Sequence, residues 1–446
     1  MFTLENLWVV LSLGVFAALI AVLVLLRRKL QWGFSARVVA ALVLGIAFGV
    51  GLQMVFGAET ASGAGAAVKK WVNIVGSIFI KSLQLIIAPL VLVSIVKAMS
   101  KLNGSIEGIK KAGKVISFLL ITTAISAVVS IIVVRLFNLS ASHLIEYTAS
   151  TRKPADVATT ILDLVPGNLF AALSGGSVLP VVFVAALIGF AYLGVKKSTP
   201  KLGGYFEDFI ETAAALVMKI VDFVIQFTPY GVLAFIAVRT ASGSGQFIVQ
   251  LGYIILASYV ALFIVFLLHL VIAAVNGLSP AVFLRKSAAA LLFAFSSRSS
   301  AATVPLTIEA QRSLGVSEVN ANLAATFGTC IGQNGCAGVY VPMLAILVGL
   351  AQGINVWSAA FLVPMVIYVV IASIGTAGVG GGATNVSLMV LSLLGLPIEL
   401  VAILISVDFI IDMGRTLLNV NESILAGYVV GKLENDIDAE TLHGSV

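Results

Sequence analysis

The chain has 446 residues, of which 60% are hydrophobic and 10% charged, with a formal net charge of +6 and a mean hydropathy of +1.12. Soluble domains carry about 25% charged residues, so this composition excludes a soluble enzyme and points to a polytopic membrane protein. The surplus cations sit in short clusters between apolar runs, the pattern of positive-inside loops and not of a nucleic-acid-binding face.

Residues 7–26 form an apolar run of spanning length, preceded by Glu5 and followed by Arg27, Arg28 and Lys29. A secretory signal carries its positive charge first, so this reads as a retained helix with its N-terminus outside and its basic end in the cytoplasm. Further spans are predicted over residues 38–56, 72–96 and 115–136, with Lys97, Lys101, Lys110, Lys111 and Lys114 between the last two. A mixed-charge connection over 138–168 leads to a span at 178–195 that ends at Lys196, Lys197 and Lys201, and spans at 212–238 and 250–275 return the chain to Arg285 and Lys286. The alternation is self-consistent except for Lys69 and Lys70, which fall in an outside loop. Trp8, Trp71 and Trp357 lie near span ends, as interfacial anchors do.

From Ser279 onward, small and polar residues interrupt the apolar segments, in two similar blocks. The first has a polar centre FSSRSSAATVP (295–305), then a span over 316–350 broken by GTCIGQNGCAG (328–338). The second has an apolar run from Trp357, a centre SIGTAGVGGGATN (373–385), and a final span over 402–427 that carries Asp408, Asp412, Arg415, Asn419 and Glu422. Repeated blocks with broken apolar segments mark a transporter binding site at the bilayer midplane, where non-helical backbone survives only if buried in protein or lining a cavity.

Ser296, Ser297, Ser299 and Ser300 around Arg298 predict a hairpin tip whose hydroxyls and amides face a polar ligand. Gly380, Gly381 and Gly382 favour non-helical backbone suited to a gate, and the carbonyls freed by the GQNG interruption suit a sodium ion. Asp412, Arg415 and Asn419, three and four apart, share one helix face. That face offers a carboxylate, a guanidinium and an amide to one small molecule, or else a self-neutralising bridge that pins helices together. The competing chemistry is thin. A serine hydrolase lacks a base near these serines in the sequence, and three histidines, His143, His269 and His443, leave little for metal or acid–base enzymology. Cys330 and Cys336 lie six apart on different helix faces, so no structural disulfide is expected. An anion channel lined by Arg298 and Arg415 is the alternative of another class.

With these motifs in register, the chain resembles the dicarboxylate/amino acid:cation symporter family, the glutamate and aspartate transporter homologues. RSSAATVP resembles its first hairpin, GQNGC stands where NMDGT is usual, SIGTAGV matches the second hairpin and DMGRTLLNV the last helix. The likeness covers nearly all of residues 36–432. It implies an all-α polytopic fold with two re-entrant hairpins and broken helices, plus one extra N-terminal helix. On this plan residues 1–34 hold the extra helix and a basic loop, 35–278 mainly the scaffold and trimerisation helices with some transport helices, 279–432 the transport core, and 433–446 a cytoplasmic tail. The resemblance further implies a homotrimer in the bacterial inner membrane, working as an elevator.

Carried over residue by residue, Arg415 would hold the substrate's distal carboxylate, Asp412 its ammonium and Asn419 its α-carboxylate. Thr416, Arg298, Ser299, Ser300, Cys336 and the second tip from Val379 through Gly380, Gly381 and Gly382 would complete the site. Backbone carbonyls of Cys330, Ser373, Ile374 and Thr376 would form a sodium site. Departures stand beside these. Asn334 replaces a sodium-binding aspartate, Gly332 the motif's leading asparagine, Ser423 another aspartate and Leu119 a tyrosine, while Thr122 and Thr123 keep neighbouring hydroxyls. Fewer coupled sodium ions follow, or a proton carried by Asp408, Asp412 or Glu422. The GQNGCAG and GGGATN variants resemble the family's bacterial L-cystine uptake members, with glutamate, aspartate or a C4-dicarboxylate as the alternative substrates. No cofactor beyond the coupling cation is implied.

Overall fold

The computed structural model describes residues 4–57, 63–100, 106–139, 165–168, 170, 178–242, 246–374 and 382–443. Every regular element among them is helical, apart from one antiparallel bridge between Val316 and Ile437. Among the described residues, five helical segments are long and apolar enough to cross a membrane, or six if one bent pair counts as a span.

The first of these, α1 (Leu4–Arg28), buries only 11% of its span against the rest of the protein. It lies on α2 (Phe34–Phe56) and α3 (Gly63–Ser100) with an otherwise apolar, exposed surface suited to lipid. Lys69 and Lys70 fall inside α3, not in a loop, and the Lys69 ammonium donates to the Ser242 hydroxyl at 3.1 Å. Two cations at the start of a long helix look like loop residues when only hydropathy is read.

The span expected over 212–238 is two helices, α6 (Pro200–Gln226) and α7 (Thr228–Ser242), bent by 41°. Pro229, which brings no N–H to the ladder, sits in the first turn of α7 where that loss is tolerated. The first half of α6 mixes Lys201, Glu207, Asp208 and Glu211 with apolar residues, so hydropathy placed its start too late. α7 packs along α2 at close range. A Cβ on Gly49 would lie 2.5 Å from Thr240 Cβ and 2.6 Å from the Ala237 carbonyl, so glycine sets this helix–helix distance.

Between them in sequence come α4 (Ile106–Leu136) and α5 (Val178–Ser198), and α8 (Gln246–Val275) follows. The remainder forms a compact set. α9 (Pro280–Ser297) and α10 (Ser300–Ser313) make the first hairpin. The broken element is α11 (Glu318–Gly328), an irregular stretch, a π-helix (Asn334–Tyr340) and α12 (Val341–Ala351). Its break covers only 329–333, narrower than the expected 328–338, because NGCAGVY is wound as π-helix. α13 (Ala359–Ala372) and α14 (Gly382–Leu393) flank the second tip. α15 (Glu399–Leu433) packs against α8, α9, α11 and the π-helix.

The C-terminal tail is docked. Lys286 donates to the carbonyls of Ser313 (2.7 Å), Thr441 (2.9 Å) and Leu442 (3.1 Å), the last two at the end of α16 (Ala439–His443). Asp436 accepts from the Ser317 hydroxyl at 2.5 Å and the Asn320 amide at 2.8 Å, and pairs with Lys111 of α4 at 3.6 Å.

Candidate functional site

The first hairpin turns at two residues. Arg298 takes the left-handed conformation (φ 54°, ψ 34°) and caps α9 through its N–H to Ala294 O, a backbone state uncommon outside glycine. Ser299 is extended and caps α10, its hydroxyl accepting the Ala302 N–H at 3.2 Å. Ser300, the first residue of α10, is buried. The Arg298 guanidinium lies within electrostatic reach of Asp412, so this helix N-terminus and its cation sit beside the last helix's carboxylates.

On α15 the expected face is assembled and buried. Arg415 has no exposed surface, and its Nη1 lies 2.7 Å from Asp408 Oδ1 and its Nη2 3.0 Å from Asp412 Oδ1. The guanidinium stacks 4.3 Å above the Tyr340 ring. The Asp412 contact is an aligned hydrogen bond, whereas Asp408 Oδ1 and Arg415 Nη1 meet as charges without that alignment, and Arg415 Nε has no partner. One guanidinium therefore serves two carboxylates, and Asp408 keeps capacity for another donor.

Asn419 reaches into the break. Its Oδ1 accepts the N–H of Gly335 at 2.7 Å and of Cys336 at 3.4 Å, while its Nδ2 points to Cys336 Sγ (3.2 Å) and Gln333 Oε1 (3.4 Å). The last helix thus satisfies amides at the start of the π-helix that no preceding turn can reach. The approach requires glycine, because a Cβ on Gly335 would lie 2.6 Å from Arg415 Cα. Gly335→Ala is expected to cost about 1–3 kcal/mol by overpacking and to lower the unfolding temperature in detergent. An unchanged melting curve would show that the two helices part without penalty.

Behind this face lies a second polar cluster. Glu422 is 1% exposed, and its two carboxylate oxygens accept the Thr122 hydroxyl at 2.7 Å and the Asn334 N–H at 2.9 Å. Asn334 Oδ1 lies 2.9 Å from the Thr123 hydroxyl, and Asn334 Nδ2 lies 2.9 Å from His269 Nε2. On the other side of the imidazole, Asn421 Nδ2 is 2.9 Å from His269 Nδ1. The last helix thus brings a buried carboxylate directly against Asn334. Of the three expected proton carriers, Asp408 and Asp412 are paired with Arg415, while Glu422, among the described residues, meets the neutral donors Thr122 and Asn334. Sequence reasoning missed His269 and Asn421. The available signal was the imidazole itself, since an ionisable residue inside an apolar span is a functional candidate by default.

Cys330 and Ser373 follow the C-terminal ends of α11 and α13, and the Gly332 N–H donates to Ser373 O at 3.3 Å. This brings two helix C-termini, each carrying partial negative charge, close to the predicted carbonyl site with Ile374. Thr376, Val379, Gly380 and Gly381 lie outside the described residues, and Gly382 opens α14 as a buried residue. Cys330 and Cys336 are not joined in a disulfide.

A profile of the sodium:dicarboxylate symporter family matches residues 34–433. The L-cystine uptake protein TcyP of Bacillus licheniformis is 40% identical over 98% of this chain and 97% of its own length. Proteins of the same name from Bacillus thuringiensis (40% identical, 98% of this chain and 97% of its own length) and Bacillus subtilis (39%, 99% and 98%) are similar to the same extent.

Proposed function

The chain belongs to the sodium:dicarboxylate symporter family, and on that premise we propose that it is an elevator-type symporter importing L-cystine with a cation. Membership makes it a membrane transporter and not an enzyme. The near-full-length similarity to proteins named for L-cystine uptake carries the choice of substrate. In this reading it works as a homotrimer in the inner membrane, with the N-terminus outside and the C-terminus cytoplasmic. Residues 279–432 move, with some earlier helices, against a scaffold drawn mainly from 35–278. The extra helix of 1–34 and the tail of 433–446 flank these parts.

The site's charges support a substrate with two zwitterionic ends. Asp412 takes the near ammonium, and Asn419, with Arg298, Ser299, Ser300 and the second tip, takes the near carboxylate. Arg415 takes the far carboxylate through a charge-assisted contact. The far ammonium, which glutamate lacks, goes to Asp408, the second carboxylate beside Arg415. Thr416 and Cys336 line the space between. The coupling cation is a proton on Glu422 or sodium at the carbonyls of Cys330, Ser373, Ile374 and Thr376.

Uptake of labelled L-cystine into proteoliposomes, under separate sodium and proton gradients and with aspartate, glutamate and succinate as competitors, tests the whole reading. Accumulation under one gradient names the ion, and no accumulation under either favours a channel. Asp408→Asn is expected to raise the KM for cystine about tenfold or more, as loss of one charge-assisted bond of roughly 1.5–3 kcal/mol implies, while leaving competition by aspartate unchanged. Equal losses for both ligands would remove Asp408 from the far-ammonium site.

A further inference from the structure

Away from the transport site, Arg37 is a charge that the fold leaves unexplained. It sits at the start of α2, is 7% exposed, and its Nε and Nη1 have no hydrogen-bond partner. The ion pairs made by the described residues all lie elsewhere. Its position is also the wrong end of a helix for a cation, because the N-terminus carries partial positive charge. A buried guanidinium at such a place needs an anion.

The surroundings add positive charge. Arg27, exposed at the end of α1, lies within electrostatic reach of Arg37, as does Tyr230 in the first turn of α7. Arg27 also donates to the Gln226 side chain at the end of α6. The starts of α2 and α7 therefore meet at one corner with the ends of α1 and α6. Neither α2 nor α7 has an acidic residue in its first turn, and the N-cap of α2, Gly33, offers no side-chain oxygen. The α1 carbonyls of Leu25 and Leu26 are already taken by the N–H groups of Lys29, Leu30 and Trp32, so they do not answer the guanidiniums. Leu30 (62%) and Trp32 (44%) are exposed beside the basic run Arg27, Arg28 and Lys29, the residue mixture of a membrane–water interface.

We infer that Arg37 and Arg27 bind the phosphate of an anionic phospholipid headgroup at the junction of α1, α2, α6 and α7. The two helix N-termini add their dipoles, and the acyl chains lie along the exposed apolar surface of α1. Arg27 belongs to the helix that precedes the family's matched residues, so this headgroup site depends on the extra helix.

The test uses the full-length protein with Trp8, Trp71 and Trp357 changed to Phe, leaving Trp32 as the reporter, in phosphatidylcholine nanodiscs. A minor fraction of brominated phosphatidylglycerol is expected to quench Trp32 several-fold more than the same fraction of brominated phosphatidylcholine. Arg37→Gln and, separately, the exposed Arg27→Gln are each expected to lower that enrichment about fivefold, the equivalent of about 1 kcal/mol per basic side chain. Equal quenching by both lipids, or enrichment unchanged in both variants, overturns the proposal. Stabilisation by millimolar inorganic phosphate, lost in Arg37→Gln and without phosphatidylglycerol enrichment, would assign the corner to a free anion and overturn the lipid as well.

Discussion

Arg415→Ala is expected to abolish L-cystine uptake, with a loss of a hundredfold or more in the initial rate. Two effects combine. On the proposed assignment the substrate's far carboxylate loses its guanidinium, and Asp408 and Asp412, which sat 2.7 Å and 3.0 Å from it, are left buried without a counter-charge. Removing one partner of a buried ion pair costs about 3–5 kcal/mol, so the variant should also melt earlier. Arg415→Lys separates the two effects. It keeps a cation between the carboxylates and loses the planar fork, so stability should recover further than uptake does. Normal transport in the alanine variant would remove Arg415 from the substrate site altogether.

Glu422→Gln is expected to fold normally and fail at coupling. The amide preserves the side chain's shape and offers an oxygen to the Thr122 hydroxyl or the Asn334 N–H, the two groups that now meet the carboxylate. What it removes is the charge of the carboxylate that the Thr122 hydroxyl and the Asn334 N–H meet. Gradient-driven accumulation in proteoliposomes should fall at least tenfold, while exchange of internal for external cystine at equal concentration persists. Unchanged accumulation would return the coupling role to Asp408 and Asp412, or to sodium at the carbonyls. Loss of exchange together with accumulation would place Glu422 in the substrate path and not in the coupling path.

The spans of α1, α2, α4 and α8 were legible because each is one long apolar run, and that signal needs no partner. α6 was misread because its amphipathic first half carries charge, and the bend before Pro229 lay inside an otherwise continuous apolar pattern. In the site, spacing alone placed Asp412, Arg415 and Asn419 on one face, since a helix converts intervals of three and four into neighbours. It did not show that Asp408 shares the same guanidinium, or that Glu422 meets Thr122 three hundred positions earlier in the chain. Such contacts are set by how α4, α15 and the break pack together. A lone histidine in α8 carried too little pattern to be tied to Asn334 and Asn421.

The last helix also has a consequence for biogenesis. Asn419 supplies the acceptor for the Gly335 amide, Glu422 the acceptor for Thr122 and the Asn334 amide, Asn421 a partner for His269, and the Ser423 hydroxyl donates to Ala324 O at 2.9 Å. All four come from α15, and their partners lie on α4, α8, α11 and the π-helix, which precede it in the chain and leave the ribosome earlier. Until α15 is inserted, those donors and acceptors stand in the bilayer without the groups that satisfy them. Assembly of the core is therefore held open until α15 is in place, and closes around residues proposed to handle substrate and ion.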